Sequence, residues 1–163
     1  MSKTGKVKTN ALRQLDAKKI NYKAYEYEAP AGFLDGISVA KATGMDVNKV
    51  YKTLVTQGAS KEYYVCVIPV VAELDLKKAA KHFHEKKVEM IPAREITAVT
   101  GYIKGGCSPV GMKKAFQTAI HLAASELELM VVSAGKVGLQ MELAVGDLQM
   151  VTGAALADLT VEE

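Results

Sequence analysis

Two runs rich in β-branched and aromatic residues, 49–56 and 62–70, flank Gln57-Gly58-Ala59-Ser60, and no other feature of the 163-residue chain limits its fold so strongly. Such residues suit a pleated, partly buried surface, and the break between them carries turn formers, so the pair predicts an antiparallel hairpin. The second run, Glu62-Tyr63-Tyr64-Val65-Cys66-Val67-Ile68-Pro69-Val70, is apolar at nearly every position, where a half-exposed strand would alternate. It predicts a strand covered on both faces.

The remaining pattern is one of short elements. Thr9 or Asn10 can cap a helix running to about residue 20, with Leu12, Leu15 and Ile20 on one side. Residues 22–28 alternate as a strand that Ala29-Pro30-Ala31-Gly32 ends, and Ser38 opens a short helix closed by Gly44. Leu74-Asp75-Leu76 leads into a lysine-rich helix to about residue 83, 88–91 reads as a strand, and Pro92 starts a helix that Gly101 stops. Residues 116–121 fit either a strand or a helix, with strand preferred, and 129–133 read as a strand, 124–127 as a helical turn, Ala134-Gly135-Lys136 as a turn and 138–143 as the returning strand. Asp147 reads as the N-cap of a closing helix. Short strands joined by hairpins, with scattered helices, give an α+β chain with a curved mixed, mainly antiparallel, barrel-like sheet flanked by helices. Residues 1–163 are expected to form one domain, with 1–8 a flexible terminus.

Several classes are excluded. The apolar runs are too short to cross a bilayer, and the basic, polar first ten residues lack the apolar stretch of a secretory signal, so the expected location is cytoplasmic with no membrane partner. Cys66 and Cys107 are two isolated residues, one in a strand pattern and one in a glycine loop, which reads as reduced thiols. His82, His84 and His121 show no ligand spacing, so neither a metal nor a cofactor is expected. A net charge of +3 tolerates a polyanion but is far from a dedicated nucleic-acid stripe.

Chemistry concentrates in Lys104-Gly105-Gly106-Cys107-Ser108-Pro109-Val110-Gly111. Adjacent glycines permit a bend that a side chain would obstruct, and Pro109 fixes φ, so the loop is stiff and its amides can hold an anion or carbonyl oxygen. The glycine spacing fits neither a dinucleotide fingerprint nor a Walker phosphate loop. Cys107 could be a nucleophile, but no base accompanies it, and Ser108 has the same difficulty. Lys52 sits within an apolar strand pattern between Tyr51 and Thr53, where a charge is costly unless it faces solvent or a partner. Tyr25 and Tyr27 share a face of the first strand.

Six segments occur in order: Val50-Tyr51-Lys52-Thr53-Leu54, Leu74-Asp75-Leu76-Lys77-Lys78-Ala79-Ala80-Lys81, Lys86-Lys87-Val88-Glu89-Met90, Thr100-Gly101-Tyr102, Gly105-Gly106-Cys107-Ser108-Pro109-Val110-Gly111 and Gly135-Lys136-Val137-Gly138-Leu139. Together they resemble the YbaK/EbsC family of bacterial Cys-tRNA(Pro) deacylases, relatives of the editing domain inserted in bacterial prolyl-tRNA synthetases. The resemblance runs from about residue 11 to 158. It implies a trans-editing aminoacyl-tRNA hydrolase that cleaves the ester of Cys-tRNA(Pro) at the 3′-terminal adenosine, in transient complex with prolyl-tRNA synthetase. It implies that Lys52 is the lysine on which activity depends, and that Gly105, Gly106, Cys107, Ser108 and Pro109 form the Gly-x-x-x-Pro loop of the aminoacyl pocket. Tyr27, Thr53, Ser133, Gly135 and Gln140 complete the implied substrate-binding set.

An ester carbonyl under attack gathers negative charge, which loop amides and an ammonium can stabilise; a phosphate of the terminal adenosine is the other candidate partner for Lys52. The resemblance further implies that the substrate's own thiol attacks the ester and leaves as a cyclic thiolactone, so that no protein nucleophile is needed. Two departures bear on the substrate. Cys107 stands where relatives often carry an aliphatic residue, and Gln140 stands where they commonly carry an aspartate. The alternatives are a non-hydrolytic aminoacyl-adenosine binding module, a deacylase for another amino acid such as Ala-tRNA(Pro), and, remotely, a thiol-redox protein using Cys66 and Cys107.

Overall fold

The computed structural model describes residues 8–28 and 36–162. Residues 1–7 of the terminal segment, and the 29–32 strand end, lie outside them. Helix α1 (Asn10–Ala17) is capped by Thr9, whose Oγ1 accepts from the Leu12 amide at 3.2 Å and donates to the Ala134 carbonyl. The cap therefore closes the helix and moors it to a strand more than a hundred residues away. Ala11, Leu12 and Leu15 are fully buried beneath it, and each leucine so buried stabilises by about 1.5–3 kcal/mol.

The chain continues through β1 (Tyr22–Glu26), α2 (Gly36–Thr43), β2 (Tyr51–Gly58), β3 (Tyr63–Pro69) and α3 (Leu76–His82). Then follow β4 (Val88–Met90), α4 (Ile96–Thr100), β5 (Gln117–His121), β6 (Leu129–Lys136), β7 (Leu139–Ala144), α5 (Val145–Thr152) and β8 (Ala155–Ala157). A three-stranded antiparallel sheet has the order β1-β7-β6, and a five-stranded sheet has the order β4-β2-β3-β5-β8. Strand β3 is central in the latter: Val65 and Val67 enter the main core with Leu12, Ile120 and Met141, while Tyr64, Cys66 and Ile68 pack against Ala79, Ala80 and Phe83 of the α3 side. The antiparallel β2–β3 pair and the two-sided burial of β3 match the sequence expectation.

Four expectations change. The sheet does not close into a barrel; among the described residues the two sheets are linked by a single parallel bridge, Val50 to Val131, because β2 turns away from β6 after that point and joins β4 instead. Strands β5 and β8 enter the larger sheet in parallel rather than through hairpins. Strand β6 runs on through Gly135 and Lys136, with a bulge where a turn is expected. Helix α5 starts at Val145 with Ala144 in the N-cap position, so Asp147 falls within its first turn. There a carboxylate still complements the helix dipole.

Candidate functional site

The divergence of β2 creates the site. At its start Val50 bridges β6, and at its end residues 56–58 pair with β4. Between these points, among the described residues, no strand pairs with residues 51–54 on the side away from β3. A cavity of about 600 Å³ fills that side, walled by Ile37 and Val39 of α2, Met90 and Ile91 at β4, Ala93 and Ile96 at α4, the 104–107 loop, and Ser133 of β6. Backbone direction follows from the flanking bonds: the Val50 carbonyl accepts from Val70 on the β3 side, and the Val55 carbonyl accepts from Ile91 on the opposite side. The two-residue alternation of an antiparallel ladder then turns the Thr53 amide and carbonyl towards the cavity. Pro69, which has no N–H, sits opposite Tyr51 where the ladder needs none.

Lys52 and Leu54 bracket that edge. Burial pushes the Lys52 ammonium below its ordinary value, opposed by the more distant charge of Glu73. Burial likewise pushes the Cys107 thiol up to about 11, against a stabilising side-chain hydrogen bond from Thr100. At neutral pH Cys107 is therefore a neutral, weakly polar wall group and a poor nucleophile.

The glycine loop is shaped by close approach. Gly105 adopts φ +85°, and a Cβ on Gly106 would lie 2.8 Å from the Val137 nitrogen and 3.0 Å from the Lys136 carbonyl carbon. Only glycine lets the loop seat on the β6–β7 turn at that distance. Ser108 is fully buried, and its Oγ accepts from the Val110 amide at 3.2 Å, so it braces the loop. Tyr102, which sequence reasoning left within a motif without a role, clamps the far end: its hydroxyl donates to the Val110 carbonyl at 2.6 Å and its ring lies against Gly135. Thr100 in turn accepts from the Tyr102 amide at 3.0 Å. The signal for this clamp was Gly101, whose left-handed φ of +87° ends α4 and aims Tyr102 inward.

Of the anticipated residues, Lys52, Thr53, Gly105, Cys107 and Ser133 line one cavity. Gly106 and Ser108 support the loop behind it, and Pro109 borders a separate depression. Tyr27, Gly135 and Gln140 are not among the lining residues. Tyr27 instead donates its amide to the Gly138 carbonyl at 2.9 Å, and Gln140 lies opposite Ser133 on β7, 6% exposed, its Oε1 without a hydrogen-bond partner. The Thr53 hydroxyl is likewise buried without a partner. The apolar lining from α2, β4 and α4 was not anticipated. Among the described residues no histidine or carboxylate lines the cavity, and no group of His, Cys, Asp and Glu could hold a metal ion. No helix among them is long and apolar enough to cross a membrane.

This mixed α+β fold recurs in solved structures. A crystal structure described as "a putative trans-editing enzyme for prolyl tRNA synthetase" matches with a TM-score of 0.83 at 21% identity, covering 99% of each chain. A hypothetical protein matches with a TM-score of 0.84 at 20% identity, over 94% of this chain and 100% of the other. The Enterococcus faecalis protein named "Putative Cys-tRNA(Pro)/Cys-tRNA(Cys) deacylase EbsC" is 44% identical over 156 residues, 96% of this chain and 95% of that protein. Residues 37–151 match the family model for the aminoacyl-tRNA editing domain. The chain belongs to that family, in its YbaK/EbsC branch.

Proposed function

We propose that this protein is a trans-acting deacylase that releases cysteine from mischarged proline tRNA. The observation that carries the reading is a single cavity holding the Lys52 ammonium, the inward-turned Thr53 backbone and the Gly105–Cys107 wall, with no described histidine or carboxylate to serve as general base. With no base at hand, the substrate supplies its own nucleophile. The cysteinyl sulfur forms a bond to its own ester carbonyl, the bond from that carbon to the ribose oxygen breaks, and the thiol proton passes to the departing hydroxyl. The products are free tRNA and a cysteine thiolactone, which water opens. Lys52, with those loop amides not spent inside the loop as Gly106's is on the Ile103 carbonyl, stabilises the oxyanion formed on the way, a contribution typically worth roughly 10²–10³ in rate. The largely apolar chamber, with Cys107 a neutral wall group, suits an uncharged side chain such as a thiol. Gln140, lying outside the lining, leaves the ammonium of the substrate to the chamber mouth.

Incubating the protein with Cys-tRNA(Pro), Ala-tRNA(Pro) and Pro-tRNA(Pro) tests this directly. Release is expected from the first and not from the last, and Lys52→Ala is expected to lower it by roughly 10²–10³. Stable binding of Cys-tRNA(Pro) without release would make the protein a binding module instead. Preferential release of alanine would discard the thiol mechanism, because alanine has none.

A further inference from the structure

Behind the glycine loop lie three depressions that share their walls. One is lined by Arg13, Gln14, Gly111, Met112 and Lys113; the next by Gln14, Gly111, Met112, Lys114 and Phe116; the third by Lys61, Tyr63, Lys114 and Phe116. Because neighbours have Gln14 to Met112 or Lys114 to Phe116 in common, they form one continuous furrow. Its rim carries Arg13, Lys61, Lys113 and Lys114, all exposed, against the one carboxylate, among the described residues, of Glu62. Four other lysines are paired with carboxylates: Lys8 with Asp16, Lys49 with Glu142, Lys78 with Asp158 and Lys87 with Glu89. Arg13, Lys61 and Lys114 have no carboxylate within ion-pair distance among the described residues. Where the second and third depressions meet, half-buried Phe116 is met edge to face by Tyr63, with ring centroids 5.7 Å apart. Unpaired cations at intervals with aromatic rings between them fit a nucleic-acid strand, whose phosphates take the charges and whose bases can lie on the rings.

The furrow is also joined to the cavity. Cys107 lines the cavity and Gly111 lines the furrow, so the loop connects them within a chain reach of at most about 14 Å. Building on the function proposed above, we propose that this furrow is the docking track for the tRNA acceptor arm, through the phosphodiester backbone just before the 3′-terminal adenosine. Arg13, Lys61 and Lys114 bind phosphates, and Phe116 supports an unstacked base. Ester and backbone are thus held on opposite faces of one rigid loop.

The test measures binding of uncharged tRNA(Pro) across a salt series, together with hydrolysis of Cys-tRNA(Pro) and of 3′-O-cysteinyl-adenosine, which has no phosphodiester to place in the furrow. Arg13→Ala/Lys114→Ala should weaken tRNA binding at least tenfold and reduce the salt slope by about one unit per lost phosphate contact. It should raise KM for Cys-tRNA(Pro), with kcat and cysteinyl-adenosine hydrolysis unaltered. Phe116→Leu should weaken binding with no change in salt slope. Lys77→Ala/Lys81→Ala, at exposed positions of α3, should leave all of these unchanged. Equal loss in the α3 variant would show diffuse electrostatic binding and overturn the proposal. So would unchanged tRNA binding in the furrow variant, and if that variant instead lost binding to prolyl-tRNA synthetase the furrow would be a protein interface. Absence of hydrolysis by wild-type protein on both substrates would remove the deacylase reading while the binding result still judged the furrow.

Discussion

Lys49 and Lys52 lie three residues apart on either side of the point where β2 leaves β6, and they are treated oppositely. Lys49 donates to Glu142 at 2.9 Å, and that carboxylate also accepts from the Tyr25 hydroxyl at 3.2 Å. The hydrogen bond to Glu142 raises Lys49 above its ordinary value. Lys52 points into the cavity, and burial lowers it. One cation is satisfied by the fold and holds strands together; the other is left under-solvated where a ligand can satisfy it. A perturbed group in a cleft is a functional candidate for that reason, and a perturbed group in an ion pair is not.

The sharpest break of this comparison is Lys52→Met. Its effect on hydrolysis should be the largest, roughly 10²–10³ in rate. Its effect on stability should have the opposite sign to that of most substitutions. Because the folded pKa of Lys52 lies below the unfolded one, the unfolded chain binds more protons between the two, and native stability rises with pH through that window. Below it the ammonium opposes folding, so removing it should leave the melting temperature equal or higher. A melting temperature lowered by several degrees would make Lys52 a structural partner like Lys49 and end the distinction.

Next in size is Gly106→Ala. The added methyl would meet the Val137 backbone at 2.8 Å, which no rotamer can relieve. The loop must lift from the β6–β7 turn, at a cost of about 1–3 kcal/mol. Gly105 and Cys107 would shift with it, so activity and stability should fall together, in contrast to Lys52→Met. Thermal melting beside a deacylation assay reads both.

These contrasts also show what a sequence can reveal. The β2–β3 hairpin, the Thr9 cap and the oddness of Lys52 in an apolar strand are local patterns, and each was legible. The glycine loop was legible as a stiff bend, although its reason, the approach of Gly106 to Val137, is a contact over thirty residues. The cavity was not legible, because it is the gap left when one strand pairs with β6 at Val50 and β4 at residues 56–58. Parallel entry of β5 and β8 was hidden for a related reason, since a strand of five residues carries no mark of its partner's direction. Gly135 misled: a glycine there reads as a turn, yet it serves a bulge against which the Tyr102 ring packs.

Glu142→Gln sharpens the other half of the comparison. It leaves Lys49 with a neutral partner in a half-buried position, and a loss of about 1 kcal/mol is expected, with hydrolysis kept. A raised folded pKa contributes stability that is complete below the unfolded value of 10.5 and disappears as pH rises through the folded one. The stability gap between wild type and Glu142→Gln should therefore be full at neutral pH and narrow on the alkaline side, read by denaturant melts across that range. A gap that is constant with pH would mean that packing, not charge, ties Lys49 to β7.

The smallest effect belongs to Cys107→Ala. The thiol stands in the same cavity as Lys52, and burial perturbs it in the same sense, disfavouring its charged form. With its pKa near 11, only about one thiol in a thousand is ionised at pH 8, so alkylation should be slow and should quicken about tenfold per pH unit until the thiol titrates. Cys66, within the covered strand β3 and pushed up to about 12, should react more slowly still. Substrate-assisted chemistry predicts that Cys107→Ala keeps hydrolysis within a few-fold while removing the faster alkylation site. Iodoacetamide should nevertheless inactivate the wild type slowly, because the adduct projects into the chamber beside Lys52, and should leave Cys107→Ala active. Loss of hydrolysis in Cys107→Ala with an unchanged melting temperature would make the protein thiol the nucleophile, and Lys52 would then be the group that activates it rather than one that stabilises the oxyanion.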